Sequence, residues 1–341
     1  MINCHCRTVI KILSLPDCHR NTVIAGLDPA ISTLHDTLIM NNSEKTKSFF
    51  SAIGLILAPL IWGFSFVVVK DSLDHIGPVW MVALRYSLAF VVLSICCIKK
   101  YSRMNASYIK NGIILGVLLF TAYFLQTVGC KYTTAGKNAF LTTLYVILVP
   151  LFAWPIFGKR PKWFVFFSAL LCLTGIALLS LQGPSLLSVN RGDVLTLGCG
   201  VFFSLHILYM SHCNKSQDPI LLTALQFGVA AILGWITAPF YDGAFPSQAL
   251  QNSRVLYSLA FLGLGASMIG FLLQNVGLKY VQPALASLFL SLESVFGMFF
   301  SVIFLGEKMT LRMWIGCSLI FISILTAEVL PPLISKPSEK R

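Results

Sequence analysis

Ten blocks of mostly apolar residues run through this 341-residue chain and decide its solvent. Each is close to the ~20 residues a helix needs to cross a hydrocarbon layer of about 30 Å. They lie near Phe49–Val69, Pro78–Ile98, Ile109–Gly129, Ala135–Phe157, Trp163–Leu181, Gly192–Met210, Pro219–Phe240, Val255–Gly277, Pro283–Leu305 and Leu311–Val329. Lipid offers no partner to a backbone N–H or C=O, so a crossing segment must be a helix or part of a closed barrel. The blocks are continuous, not ten-residue alternations of apolar and polar, which selects helix. With 11% charged residues, against ~25% in soluble domains, the chain has too little polar surface to cover a water-soluble globule. The expected fold is an all-α integral membrane protein with ten transmembrane helices. Most connections are short, leaving no room for a soluble catalytic domain.

A phrase occurs twice: Gln126-Thr-Val128-Gly129-Cys-Lys131-Tyr132, then Gln274-Asn-Val276-Gly277-Leu-Lys279-Tyr280. The same slide of 148 positions superimposes Leu144 on Leu292, Phe152 on Phe300 and Gly158 on Gly306. The chain therefore divides into two five-helix repeats, residues 49–182 and 190–330, with a cytoplasmic tail at 331–341. Five crossings is an odd number, so the second copy enters the membrane inverted, with a pseudo-two-fold axis in the membrane plane. Such a pair can open alternately to each side by exchanging the shapes of its halves around a fixed central site.

The net charge of +12 does not point to nucleic acid, because the basic residues sit between helices. Lys99, Lys100, Arg103 and Lys110 follow the second block, and Lys159, Arg160 and Lys162 follow the fourth. Opposite them stand Lys70, Lys131 and Lys137. The positive-inside rule then places both termini in the cytoplasm. The second half is less decisive: Lys215 and Lys279 fall inside, Arg191, Arg254, Lys308 and Arg312 outside, while Lys336, Lys340 and Arg341 agree with an inside end. Residues 1–48 form an extension ahead of the first repeat; residues 1–39 lack this organisation and show no signal-peptide pattern, and read as sequence translated ahead of a start at Met40 or as a disordered cytoplasmic arm. The ten cysteines form no C-x-x-C pair, and Cys4-His5-Cys6 is too small a cluster to imply a metal. No cofactor is implied, and the absence of a G-x-x-x-x-G-K-[ST] loop excludes an ATP-driven pump built on that motif.

Trp62-Gly63-Phe64-Ser65-Phe66 with Lys70, Pro78 followed by Arg85, Pro150, and Gly306-Glu307 occur in an order that resembles the EamA branch of the drug/metabolite transporter superfamily. The resemblance covers residues 50–329. It departs at Glu293-Ser294, where the family often has Glu-Pro, and at Gly158-Lys159, where Gly-Glu is expected. The resemblance implies a multi-pass protein of the bacterial inner membrane that moves a small metabolite such as an amino acid, nucleobase, amine or drug-like compound.

Glu293 is the first candidate to touch cargo: a charge at mid-membrane costs at least ~2.5 kcal/mol and persists by facing a partner or water. It reads either as a ligand for a cargo amine or proton, or as a structural carboxyl. Arg85 cannot lose its proton and must pair, bind an anion or reach water. His206 is a proton gate or a packing hydrogen bonder. Gln126 and Gln274, with Tyr123 one turn before the first, face each other by symmetry and either line a cavity or tie helices together. Asn138, Thr142 and Tyr145 share a helix face. Trp62 stacks on cargo or packs. Gly112 and Gly116 make a small-xxx-small packing pair. The expected function is a secondary, non-ATP carrier, not an enzyme, whose partners are a small-molecule substrate and the lipid bilayer and which acts as monomer or homodimer. The alternative, an integral-membrane transferase on a lipid-linked substrate, usually needs paired acids for Mg²⁺, and no span offers two carboxylates one turn apart.

Overall fold

A computed structural model describes residues 51, 53–158, 163–180, 190–281, 286 and 289–334. The N-terminal extension, Lys159, Pro283 and the last residues of the tail lie outside that set. The helices, in chain order, are α1 (Ile53–Ser72), α2 (Pro78–Cys96), α3 (Ala106–Tyr132), α4 (Ala135–Phe157), α5 (Trp163–Ser180), α6 (Arg191–Cys213), α7 (Pro219–Tyr241), α8 (Ser253–Tyr280), α9 (Leu292–Leu305) and α10 (Leu311–Ile334). No strand occurs among the described residues. Seven of these helices, all but α5, α9 and α10, are long and apolar enough to cross a membrane. The other three are shorter apolar helices, with Phe166–Leu178, Leu292–Leu305 and Leu311–Ser323 as their apolar stretches. Seven full-length candidates stand where the sequence predicts ten, partly because most of the first turns of the ninth block fall outside the described residues.

Local signals set the ends. Pro78 and Pro219 open α2 and α7, where a missing N–H costs nothing. Asn105, Thr134, Asn190, Asp218 and Asn252 each accept a backbone N–H as the cap of the helix that follows. Helix α4 steps at Thr143, where ψ reaches 0°, and Ser291, with ψ −18°, precedes α9. Both helices end on a left-handed glycine, Gly158 at φ +70° and Gly306 at φ +64°, a conformation that glycine adopts without a Cβ penalty. Step and cap are each spaced by the 148 positions of the repeated phrase. Large apolar side chains cover the outer surface, among them Trp163, Phe240, Tyr257 and Leu311, as a lipid-facing surface requires.

Three pairs of helices five positions apart in order pack antiparallel. At the start of α2 the N–H groups of Val79 and Trp80 donate to Asp242, just past the end of α7, while Lys100, past the end of α2, holds Asp218 at the start of α7. The first N–H groups of α4, at Ala135 and Gly136, donate to Glu307 beyond α9, and further along Tyr145 neighbours Glu293. In α5 and α10, Cys172 meets Ser323 while Gly175 packs on the backbone at Gly316. Close approach uses small residues: a Cβ on Gly116 would fall 2.9 Å from the Gln226 carbonyl of α7, and one on Gly63 would fall 2.8 Å from the Gly297 nitrogen of α9. Gly112 faces Leu225 on the same α3–α7 seam.

Candidate functional site

Six helices, α1, α3, α4, α6, α8 and α9, converge on a cavity in the bundle interior. Helix α1 contributes Trp62, Ser65 and Phe66, α3 Tyr123 and Gln126, α4 Thr142 and Tyr145, α6 Phe203 and Ile207, α8 Phe271 and Gln274, and α9 Glu293. The cavity is narrow: a water's centre can reach about 20 Å³ of it, room for about one water. Glu293 is 5% exposed, and the Tyr145 hydroxyl lies beside its carboxylate. Aromatic rings make the walls. Tyr123 meets Phe203 edge-on at 5.3 Å and Phe271 at 5.9 Å, and Trp62 meets Phe271 at 5.2 Å while its Nε1 donates to the Ala266 carbonyl at 2.7 Å. That carbonyl belongs to a π-helical stretch of α8, Phe261–Ile269, a wider turn that often marks functional sites.

Six of the nine residues expected to touch cargo come together here: Glu293, Gln126, Gln274, Trp62, Tyr145 and Tyr123. Gln126 donates to the Thr142 hydroxyl at 3.2 Å, and Gln274 to the Asn275 side chain at 3.3 Å. The other three stand behind the wall. Arg85 puts its guanidinium 4.7 Å from the Tyr123 ring centroid and donates to Ser267 at 2.9 Å. His206 shares a 2.6 Å hydrogen bond with Gln226. Asn138 donates to the Gln126 carbonyl and, at 2.8 Å, to Thr196. Each has found a protein partner on a neighbouring element, which is the other way for a polar side chain to survive in lipid.

Sequence reasoning missed the aromatic lining of α6 and α8, although a signal was present. Tyr123 and Phe271, Gln126 and Gln274, and Tyr145 and Glu293 are each 148 positions apart. Trp62 and Phe203, like Phe66 and Ile207, are 141 apart, the spacing from Pro78 to Pro219. Ten of the twelve lining residues thus form five pairs at the repeat offsets. A second surprise is Lys137, which reads as a loop charge but is 1% exposed and 2.8 Å from the fully buried Asp193. Thr133 donates to the same carboxylate at 2.6 Å. Glu307, expected as part of a motif, proves to be the acceptor at the start of α4.

A model of the EamA-like transporter family matches residues 49–181 and 190–327. The chain belongs to this family. EamA-like relatives include an "uncharacterized transporter" from Archaeoglobus fulgidus, 32% identical over 84% of this chain and 88% of its own length. Another is the "uncharacterized inner membrane transporter YicL" of Salmonella typhimurium, 23% identical over 85% of this chain and 96% of its own. A solved crystal structure matches with a TM-score of 0.62 at 19% identity, covering 82% of this chain and 98% of that one, a likeness of fold. Family membership and the apolar helices together make this EamA-like chain a multi-pass membrane protein of transporter type.

Proposed function

We propose that this EamA-like protein is a secondary carrier for a small metabolite, built from two inverted five-helix repeats, residues 49–182 and 190–330, that alternate access to the central cavity. The observation that carries the proposal is the paired lining: five residue pairs at the repeat offsets face one narrow space. The antiparallel packing of α2 on α7, α4 on α9 and α5 on α10 supports inversion, since a helix lies against its own counterpart running the other way. A site between matched halves can be presented to either side while its contacts stay in place. Energy comes from a gradient or from the cargo's own gradient.

In this reading Glu293, Tyr145, Gln126, Gln274, Trp62 and Tyr123 touch the cargo, and Arg85, His206 and Asn138 hold the wall in register from behind. Both termini face the cytoplasm, as the basic loop after α2 argues. A thermal-shift screen of purified protein against amino acids, nucleobases and amines, followed by counterflow of each stabilising compound in proteoliposomes, tests the proposal. A carrier exchanges labelled for unlabelled cargo and leaves it chemically unchanged. Conversion of the compound without a change of side would overturn it. Separately, Ser102→Cys should label from the cytoplasmic side; labelling from outside would reverse the orientation.

A further inference from the structure

The carrier reading leaves the charge of the cargo open, and the cavity itself constrains it. Among the described residues its lining includes one carboxylate, Glu293, and no ammonium, guanidinium or imidazole. Six of the remaining lining residues are aromatic: Trp62, Phe66, Tyr123, Tyr145, Phe203 and Phe271. Aromatic faces carry negative potential and attract a cation within about 6 Å, more strongly where water is excluded. Resting on the carrier reading, we infer that the cavity selects a small organic cation, a protonated amine or quaternary ammonium with an apolar or aromatic body, whose charge sits against Glu293.

The guanidinium behind the Tyr123 ring does not compete for that place. Arg85 lies over the Tyr123 ring but is not part of the lining, is 2% exposed, and is tethered to Ser267. A carboxylate buried among aromatic rings is expensive without a positive partner, and a cationic cargo supplies one. An anionic cargo would have to shed its water beside both the carboxylate and the ring faces. A neutral cargo would supply no counter-charge, and the buried carboxyl would have to take up a proton in its place.

Glu293 is also well placed for a moving cavity. It and Tyr145 are counterparts at the 148-residue offset, and they are neighbours. Counterparts that meet lie on the axis relating the halves, the locus that moves least when the halves exchange shapes. A cationic group held there keeps its partner in both states, while Trp62 and Phe203, themselves counterparts, trade roles around its body.

The test uses four probes of nearly one shape on purified full-length protein: benzyltrimethylammonium and benzylammonium as cations, benzyl alcohol as the neutral, and phenylacetate as the anion. The two cations should raise Tm by roughly 5 °C at a hundredfold excess over Kd, and the neutral and anionic probes should not. Glu293→Gln should weaken cation binding at least ~30-fold, Glu293→Asp should restore most of it, and Trp62→Leu should weaken it by a smaller factor of about 5. The comparison among probes on wild type stands even if Glu293→Gln fails to fold. Equal binding of benzyl alcohol or phenylacetate, no shift from either cation, or full affinity in Glu293→Gln would overturn the inference. So would tighter binding of phenylalanine than of phenethylammonium, which would make the site one for zwitterions. Counterflow separates the two claims: exchange of neutral or anionic solutes alone keeps the carrier and removes the cation. Glu293-dependent cation binding without exchange does the reverse.

Discussion

The two ends of the bundle are tied by different chemistry. Where α1 and α3 finish and α4 and α6 begin, the ties are charged, and one ion pair among them, Lys137–Asp193, is fully buried, although Asp71–Arg254 at the same end is exposed. Lys70 donates to the carbonyls of Cys130 and Thr133 at 2.8 and 2.6 Å, Thr133 to Asp193, and Asp193 pairs with Lys137. Glu307 accepts from the first two N–H groups of α4 at 2.7 and 3.1 Å. At the opposite end the ties are mostly amides and hydroxyls: Asn214 to the Asn275 carbonyl at 2.9 Å, Asn275 to Thr223 at 2.8 Å, Asn111 to Gln217 at 2.8 Å. The ion pair there, Lys100–Asp218, keeps 33% and 20% of its side chains exposed. Neutral amide bonds between membrane helices are worth only ~0.6 kcal/mol on average and exchange readily, whereas separating a buried ion pair strands two charges. The difference implies that the bundle holds shut most firmly at the charged end.

The largest test breaks that end. Asp193→Asn leaves the Lys137 ammonium buried without its counter-charge, and should cost about 3–5 kcal/mol of stability, read as a fall in Tm of the purified protein. Replacing both partners with apolar residues, Lys137→Met with Asp193→Leu, should recover most of the loss, because no charge is then stranded. A loss smaller than that from Lys100→Met would refute the contrast. Native thiols report opening directly: Cys130 sits at the charged end and Cys213 at the other, both buried. In wild type Cys213 should label faster with a membrane-permeant thiol reagent, and Asp193→Asn should narrow the gap.

Glu307→Gln is the next step down. Gln keeps one acceptor for the N–H groups of Ala135 and Gly136 but loses the charge that suits a helix N-terminus, so about 1–2 kcal/mol should be lost. At the amide end Asn275→Leu removes the bonds to Thr223 and Gln274 from a fully buried site. It should cost about 0.6–1.7 kcal/mol. An Asn275→Leu loss exceeding that of Asp193→Asn would invert the ranking of the two ends.

This contrast was not legible in the sequence, while most of the helices were. Uninterrupted apolar blocks, two of them opening at Pro78 and Pro219, announce helices because their chemistry is local. The central cavity was legible where the repeat wrote polar residues twice, as at Gln126 and Gln274. It was hidden where it wrote aromatic ones, since Phe203 and Phe271 inside apolar blocks look like packing. Lys137 looked like a loop charge because its partner Asp193 is 56 positions away, a pairing only the fold creates. Arg85, His206 and Asn138 were candidates to touch cargo or to bond a neighbouring helix, on the rule that polar groups in lipid need water or a partner. The structure gives each a protein partner, Ser267, Gln226 and Thr196, whose identities sequence spacing cannot single out.

The smallest effect sharpens the comparison through pH. Burial pushes Asp218 up, but the Lys100 ammonium and the N–H groups of Ile220 and Leu221 outweigh it and hold the carboxyl below its ordinary value. An acid held low contributes stability above its ordinary pKa and loses it as pH falls through the lowered one. Asp242, at the charged end, is shifted the other way: burial raises it, and the N–H groups of Trp80 and Val79 and the charge of Lys131 only partly oppose that. Its charged form is the disfavoured one, so the folded state gains relative stability as pH falls through the raised pKa. The two carboxyls, one at each end of the same α2–α7 seam, therefore bend the acid limb in opposite directions. Asp218→Asn should flatten the fall of Tm below about pH 5 and Asp242→Asn should steepen it. Each shift is limited to the ~1 kcal/mol or less that a partly exposed pair or cap supplies. Curves that move together would mean that the seam responds as one unit and that its ends are not chemically distinct.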